Sequence, residues 1–205
     1  MGKLDLNNYF ENGHEWVDLG LPSGTKWATC NVGASKPEEY GDYYAWGETE
    51  PKRKYSESTY KWCNGSVRTL TKYNTYSGYG TVDNKTVLDP EDDAARANWG
   101  GAWRMPTNDE WTELCNNCTS TETDDYNGTG VKGQIVTSNI NGNSIFLPAA
   151  GYRYDVELLF AGDLDYYWSS SLYGDSPESA WDVYFISDLV DGYYRYCGQS
   201  VRPVL

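Results

Sequence analysis

The sequence predicts an α+β domain in which two modest helices accompany mostly antiparallel strands and irregular loops. Three observations carry that prediction. Nine Trp, 19 Tyr and 21 Gly in 205 residues favour strands and turns over long helices. Two separate segments, Asp89–Asn98 and the run from Thr107, carry the start and stop signals of helices. From Ser179 to Asp191 the chain alternates strictly, which is the period of a strand.

That alternating strand sets the functional question. Trp181, Val183 and Phe185 form one face, large and apolar, as a core face is expected to be. Asp182, Tyr184, Ile186 and Asp188 form the other. This second face mixes acid, aromatic and aliphatic residues without regularity, which neither a core nor an ordinary solvated surface predicts. It reads as a contact surface.

The length suits one domain with a substantial core, spanning residues 1–205. A charged fraction of 22% is ordinary, so the chain is not a disordered tail. A net charge of −14 argues against nucleic acid or an anionic membrane surface as partner, because both would be repelled. No stretch approaches the roughly 18–20 apolar residues of a membrane span, so no insertion is expected, and none resembles the apolar segment of a signal peptide. Five cysteines leave at least one unpaired. Cys115 and Cys118 form a CNNC pair at an expected helix end, but one CxxC with His14 as the sole histidine makes a poor zinc site.

Taken in order, Glu15–Ala34 reads as a hairpin, two short apolar runs flanking the turn residues Leu21, Pro22, Ser23 and Gly24. GDYYAWGE follows, with Tyr44 and Trp46 on one face of a short strand. Thr49–Thr86 is polar and Tyr-rich, an irregular insertion whose basic patch, Pro51–Lys54, reads as solvated surface. Asp89 is the expected cap of the first helix, with Pro90 in its first turn, three acids near the positive end of the dipole, and Gly100 and Gly101 stopping it. The second helix opens on the capping box Thr107–Glu110 and buries Trp111 and Leu114. After a polar loop at Asp124–Gly130, Gln134–Ala149 offers two strands around Asn141-Gly142, a strong hairpin turn. Ser200–Val204 ends the chain on alternating apolar residues, expected to pair beside the N-terminal strand.

Six blocks, GLPSGTKWATCNVGA, GDYYAWGE, WGGAWRMPTNDEW, FLPAAGYR, YYWSSS and GQSVRPV, together resemble the repeated "major paralogous domain" of Bacteroidetes and Fibrobacter surface proteins. They are spread from Leu21 to Val204. The resemblance implies a C-type lectin-like fold of the branch related to formylglycine-generating enzymes. Some members of the family are variable proteins of diversity-generating retroelements, in which adenines of a C-terminal segment are rewritten and the mutated positions form a ligand-binding face.

Carried onto this chain, the resemblance places the variable segment in 151–205. The implied variable, ligand-binding positions are Tyr154, Asp155, Val156, Leu159 and Phe160, then Tyr173 and Asp175. On the alternating strand and beyond they are Asp182, Tyr184, Ile186, Asp188, Leu189, Asp191, Tyr193, Tyr194, Tyr196 and Cys197. None is Lys, Met, Glu, Gln or Trp, the residues that rewritten Asn codons exclude. Glu157 and Glu178 do not fit and are assigned to the scaffold. The Tyr-rich set brings large contact area with little entropy to lose, and its Asp residues favour a cationic or hydroxyl-rich partner.

The resemblance thus implies a non-enzymatic receptor or adhesin whose partner is a protein or glycan on another cell or a phage host. Its location would be extracellular, on a cell surface or a phage virion. The alternative reading is an undiversified cell-surface domain with a structural or glycan-binding role. An enzyme is the rival class: the related sulfatase-activating enzymes use a pair of copper-binding cysteines, and Cys197 has no nearby partner in sequence. With His14 as the only histidine, no Ser–His–acid set can be assembled. The sugar-binding loop motifs of calcium-dependent lectins are absent, Trp181-Asp182 being a partial echo. No cofactor and no required metal is expected.

Overall fold

The computed structural model describes residues 9–174, 176–185 and 189–205. Its described elements are two α-helices and 13 strands, mostly antiparallel, so the class is α+β with β dominant.

Strands β1 (Tyr9–Glu11), β2 (His14–Asp18) and β3 (Lys26–Ala28) form an antiparallel meander, with the expected Leu21–Gly24 turn between β2 and β3. β4 is Tyr44–Ala45. The segment 49–86 is irregular, as expected, and built from short 3-10 turns. It is not merely a solvated insertion, however: Tyr55, Tyr60, Leu70 and Tyr73 are buried in it.

The first helical segment is broken in two. A 3-10 turn at Pro90–Asp92 precedes α1 (Ala94–Trp99), and the cap is Asp93, whose carboxylate accepts the Arg96 N–H at 3.0 Å. The expected cap, Asp89, instead pairs with Lys72 and Lys85. Helix α2 (Asn108–Asn117) begins on the expected capping box, and Trp111 and Leu114 are its buried residues. β5 (Cys118–Thr123), which the polar sequence conceals, pairs with β6 (Gly133–Ser138), and β6 pairs with β7 (Ser144–Pro148) across the Asn141-Gly142 turn.

In the last third, β8 (Tyr152–Tyr154) and β9 (Glu157–Leu159) make a tight hairpin, and β10 (Tyr166–Leu172), β11 (Ser179–Tyr184) and β12 (Leu189–Tyr194) a three-stranded sheet. β13 (Gly198–Gln199) lies between β4 and β8, joining the early and late thirds of the chain. Close approach there requires glycine: a Cβ on Gly198 would sit 2.5 Å from the Tyr55 ring.

The closing residues behave as their pattern predicts. Ala28 N–H donates to Pro203 O at 2.9 Å, Leu205 and Lys26 exchange backbone bonds, and Val204 bridges both Trp27 and Arg104. Arg202 is fully buried and donates to Asn31 Oδ1, Ala28 O and Phe146 O. Arg195, also fully buried, donates to the Tyr60 hydroxyl and to Tyr73, Pro177 and Lys72 carbonyls, tying the irregular segment to the β10–β12 sheet. Cys30, Cys63, Cys118 and Cys197 are thiols outside any disulfide. No described helix is long and apolar enough to cross a membrane.

Candidate functional site

The β10–β12 sheet is where one surface separates from the core. Val183 on β11 and Phe185 just beyond it, with Tyr167 on β10, pack against Trp111 of α2 in one apolar cluster. Trp181 shares their face by alternation but is only half-buried. Its neighbour across the ladder is Gly192, which has no side chain, and the Tyr173 ring lies against it at 4.4 Å. The helix reaches the Val183–Phe185 end of the strand; beyond it the apolar face runs out towards solvent.

On the opposite face, the expectation that Asp182 meets solvent is corrected. Asp182 is 2% exposed and accepts a 2.7 Å hydrogen bond from Gln199 Nε2. It lies across from Trp168 in the β10 ladder, with Gln199 of β13 over it. Burial, with the nearby Asp191 charge adding to it, pushes its carboxyl up to about 8. Tyr196 and Cys197 are likewise buried, at 7% and 1% exposure, because the chain there turns inward to enter β13. Burial raises the Cys197 thiol to about 12, which leaves it protonated and unreactive at neutral pH.

What the fold brings together above these residues is a connected aromatic surface. Tyr152 meets Phe160 at 6.0 Å, Tyr166 at 5.2 Å and Tyr193 at 5.0 Å between ring centroids. Tyr166 stacks on Tyr184 at 5.1 Å, and Tyr193 leads through Tyr194 to Tyr196 and Tyr154. Strand alternation explains the membership: Tyr152 and Tyr154 are two apart on β8, and Tyr166 and Tyr184 are directly opposed in the β10–β11 register. Tyr154 (48%), Phe160 (51%) and Tyr194 (49%) are its exposed members, and Val156 (65%) is exposed in the turn that follows Tyr154. The sequence segment 152–160, Tyr166, Tyr184 and the segment 193–196 thus become one surface.

The remaining positions distribute around it. Leu159, Tyr173, Tyr184 and Tyr193 are half-buried, and Asp191 is exposed. Asp155 is half-buried at φ 52°, its backbone paired with Tyr55 and its carboxylate 3.3 Å from Lys54. Asp175, Ile186 and Asp188 lie outside the described residues, as does the side chain of Leu189, whose backbone pairs with Tyr184. Glu178 accepts the Tyr79 hydroxyl at 2.9 Å, a structural contact. Sequence reasoning missed Tyr152, Tyr166 and the 38%-exposed Leu158. Alternation puts Tyr152 on the same face of β8 as Tyr154, but the meeting of that face with Tyr166 and Tyr193 is set by packing between strands.

Among the described residues no group of three His, Cys, Asp or Glu side chains is disposed to hold a metal ion. No protein-family model matches the chain, and no curated protein or solved structure matches it either.

Proposed function

We propose that this chain is a non-enzymatic ligand-binding domain with a C-type lectin-like fold, and that its aromatic surface is the diversified binding face of a retroelement variable protein. The observation that carries the reading is the aromatic surface itself. Rings far apart in the chain meet at tilted and edge-on angles, and the exposed Tyr154 and Tyr194 keep their hydroxyls unengaged by the described residues. Tyrosine so presented offers large, rigid contact area together with a hydrogen-bonding tip, the combination that binding surfaces favour. An acidic rim residue, Asp191, and a net charge of −14 bias the partner towards cationic or hydroxyl-rich surfaces.

The fold reading is supported by the six sequence blocks and by the pairing of the C-terminal segment with β3, which brings the closing residues beside the early strands. A location outside the cell or on a virion follows from the same resemblance.

The test is genetic. Sequencing the locus across a population should reveal a template repeat beside a reverse-transcriptase gene, with substitutions confined to template adenines. The exposed positions Tyr154, Val156, Phe160 and Tyr194 should vary most freely. A locus without a template repeat, or with differences scattered evenly through the Trp-rich scaffold, would refute the proposal.

A further inference from the structure

The basic run Pro51–Lys54 divides once its partners are considered. Lys52 Nζ lies 2.7 Å from Glu48 Oε1 and donates to Thr59 O at 3.0 Å. Lys54 pairs with Asp155 at 3.3 Å. Arg53 has no carboxylate within ion-pair distance among the described residues. The same holds for Arg153 of β8, although acids outnumber bases 30 to 16 in the chain. Both arginines line one cleft of about 510 Å³, with Asp42, Tyr43, Tyr55, Pro51 and Val156 among its other walls. Two guanidinium groups without an ion-pair partner among the described residues thus line one cavity.

Strand geometry separates this cleft from the aromatic surface. Tyr152 and Tyr154 flank Arg153 on β8 and face the aromatic side, so Arg153 faces the other. There Arg153 lies opposite Gly198, with its guanidinium 5.1 Å from the Tyr43 ring centroid. Stacking on the ring steadies the side chain while leaving its edge donors unspent.

We propose that this cleft binds a sugar bearing a carboxylate, a uronate-type monosaccharide unit. The guanidinium fork matches a planar carboxylate through two parallel hydrogen bonds. The volume falls in the range of roughly 300–1,000 Å³ typical of small-molecule sites, and one acidic amino-acid side chain would leave most of it empty. Asp42 supplies an acceptor for sugar hydroxyls and, by repulsion, disfavours a phosphate dianion. Pro51, Val156 and the tyrosine edges meet the C–H faces of a pyranose ring. The site is independent of the proposed binding face, with Val156 the residue that adjoins both.

The experiment is a titration of the full chain, followed by amide shifts in heteronuclear NMR at low ionic strength. The probes are sodium glucuronate, glucose, inorganic phosphate and an acetylated, amidated glutamate. Glucuronate should shift the Gly41, Asp42, Arg53 and Arg153 amides saturably, and glucose should bind at least about tenfold more weakly, the measure of one lost charged contact. Arg153→Gln should weaken glucuronate binding by about tenfold or more, Arg153→Lys by less, and the Arg53→Gln/Arg153→Gln double variant should abolish it. Unchanged amide positions away from the cleft establish that these variants fold. Replacing Tyr154 and Tyr194 with Ser should leave glucuronate binding intact. The proposal is overturned if glucose or phosphate binds as well as glucuronate, or if the glutamate derivative binds better. It is equally overturned if the arginine variants bind like wild type, or if no probe saturates by ~10 mM.

Discussion

Two groups of tyrosines share this molecule and are used in opposite ways. In the core, three hydroxyls are committed to the fold: Tyr43 donates to Ala150 O at 2.6 Å, Tyr60 to Trp46 O at 2.7 Å, and Tyr167 to Pro148 O at 2.8 Å. On the aromatic surface, Tyr154, Tyr166, Tyr184 and Tyr194 touch one another through their rings, and their hydroxyls bond to none of the described residues. A hydroxyl sealed in the interior must find a partner or lose its desolvation energy, whereas one at the surface keeps water and remains available to a ligand. The same residue type is therefore cement in one region and an unspent contact in the other.

The largest effects should come from the buried polar cement. Arg202→Ala would leave Asn31 Oδ1 and the Ala28 and Phe146 carbonyls unpaired in the interior. At about 1–3 kcal/mol for each stranded group, the variant should lose most of its stability or fail to fold. Deleting Gly198–Leu205 removes the same anchor along with β13 and should abolish folding outright. Urea unfolding monitored by tryptophan fluorescence would check both, and a wild-type transition in either would break the contrast at its core end.

Next in size are Trp181 on β11 and Phe185 just beyond its end. Phe185→Ala empties a site against Trp111 and should cost roughly 3–5 kcal/mol. Trp181→Ala, at the end where the apolar face runs out, should cost clearly less, because the ring is half-exposed already. Equal losses by chemical denaturation would mean that Trp181 is core after all.

These two residues also show how far the sequence could be read. The turns, the capping box at Thr107–Glu110 and the pairing of the closing segment follow from local chemistry that acts over a few residues, and all were legible. Strand alternation correctly divides β11 into two faces. It does not say what lies above each face, and that is why Asp182 was expected in solvent and Trp181 in the core. Burial there depends on Gln199 and Gly192, which arrive from other strands. In the same way, nothing local distinguishes Tyr60, locked beneath Arg195, from Tyr194 at the surface. Tyr152 and Tyr166 join the candidate site only through the packing of β8 against the β10–β12 sheet, a contact no linear pattern encodes. Arg153 lines one cleft with Arg53 only because the fold brings β8 to the 49–86 segment.

A smaller effect separates the regions by pH. Burial pushes the carboxyls of Asp182 and Asp165 up to about 8 and about 7, from an ordinary 3.8. The folded chain therefore holds protons that the unfolded chain has released, and these groups make stability fall as pH rises from about 4 to about 8. Asp182→Asn removes one ionisation while keeping an acceptor for Gln199 Nε2, and its amide can donate to Gln199 Oε1, which is buried without a partner. The variant should gain melting temperature over wild type at pH 8 and gain less at pH 5. A difference independent of pH would show that Asp182 is not the titrating group.

The most direct test removes single hydroxyl groups and nothing else. Tyr→Phe variants at Tyr43, Tyr60 and Tyr167 are compared with the same change at Tyr154, Tyr166 and Tyr194, each measured by urea denaturation. Tyr43→Phe and Tyr60→Phe strand a buried carbonyl and should each lose about 1–3 kcal/mol, while Tyr167→Phe, whose partner Pro148 O keeps the Ala150 N–H, should lose about 0.5–1.5 kcal/mol. The surface variants should stay within about 0.5 kcal/mol of wild type. If the surface hydroxyls prove as costly to remove as the core ones, they are already spent on the fold, and the aromatic surface holds nothing in reserve for a ligand.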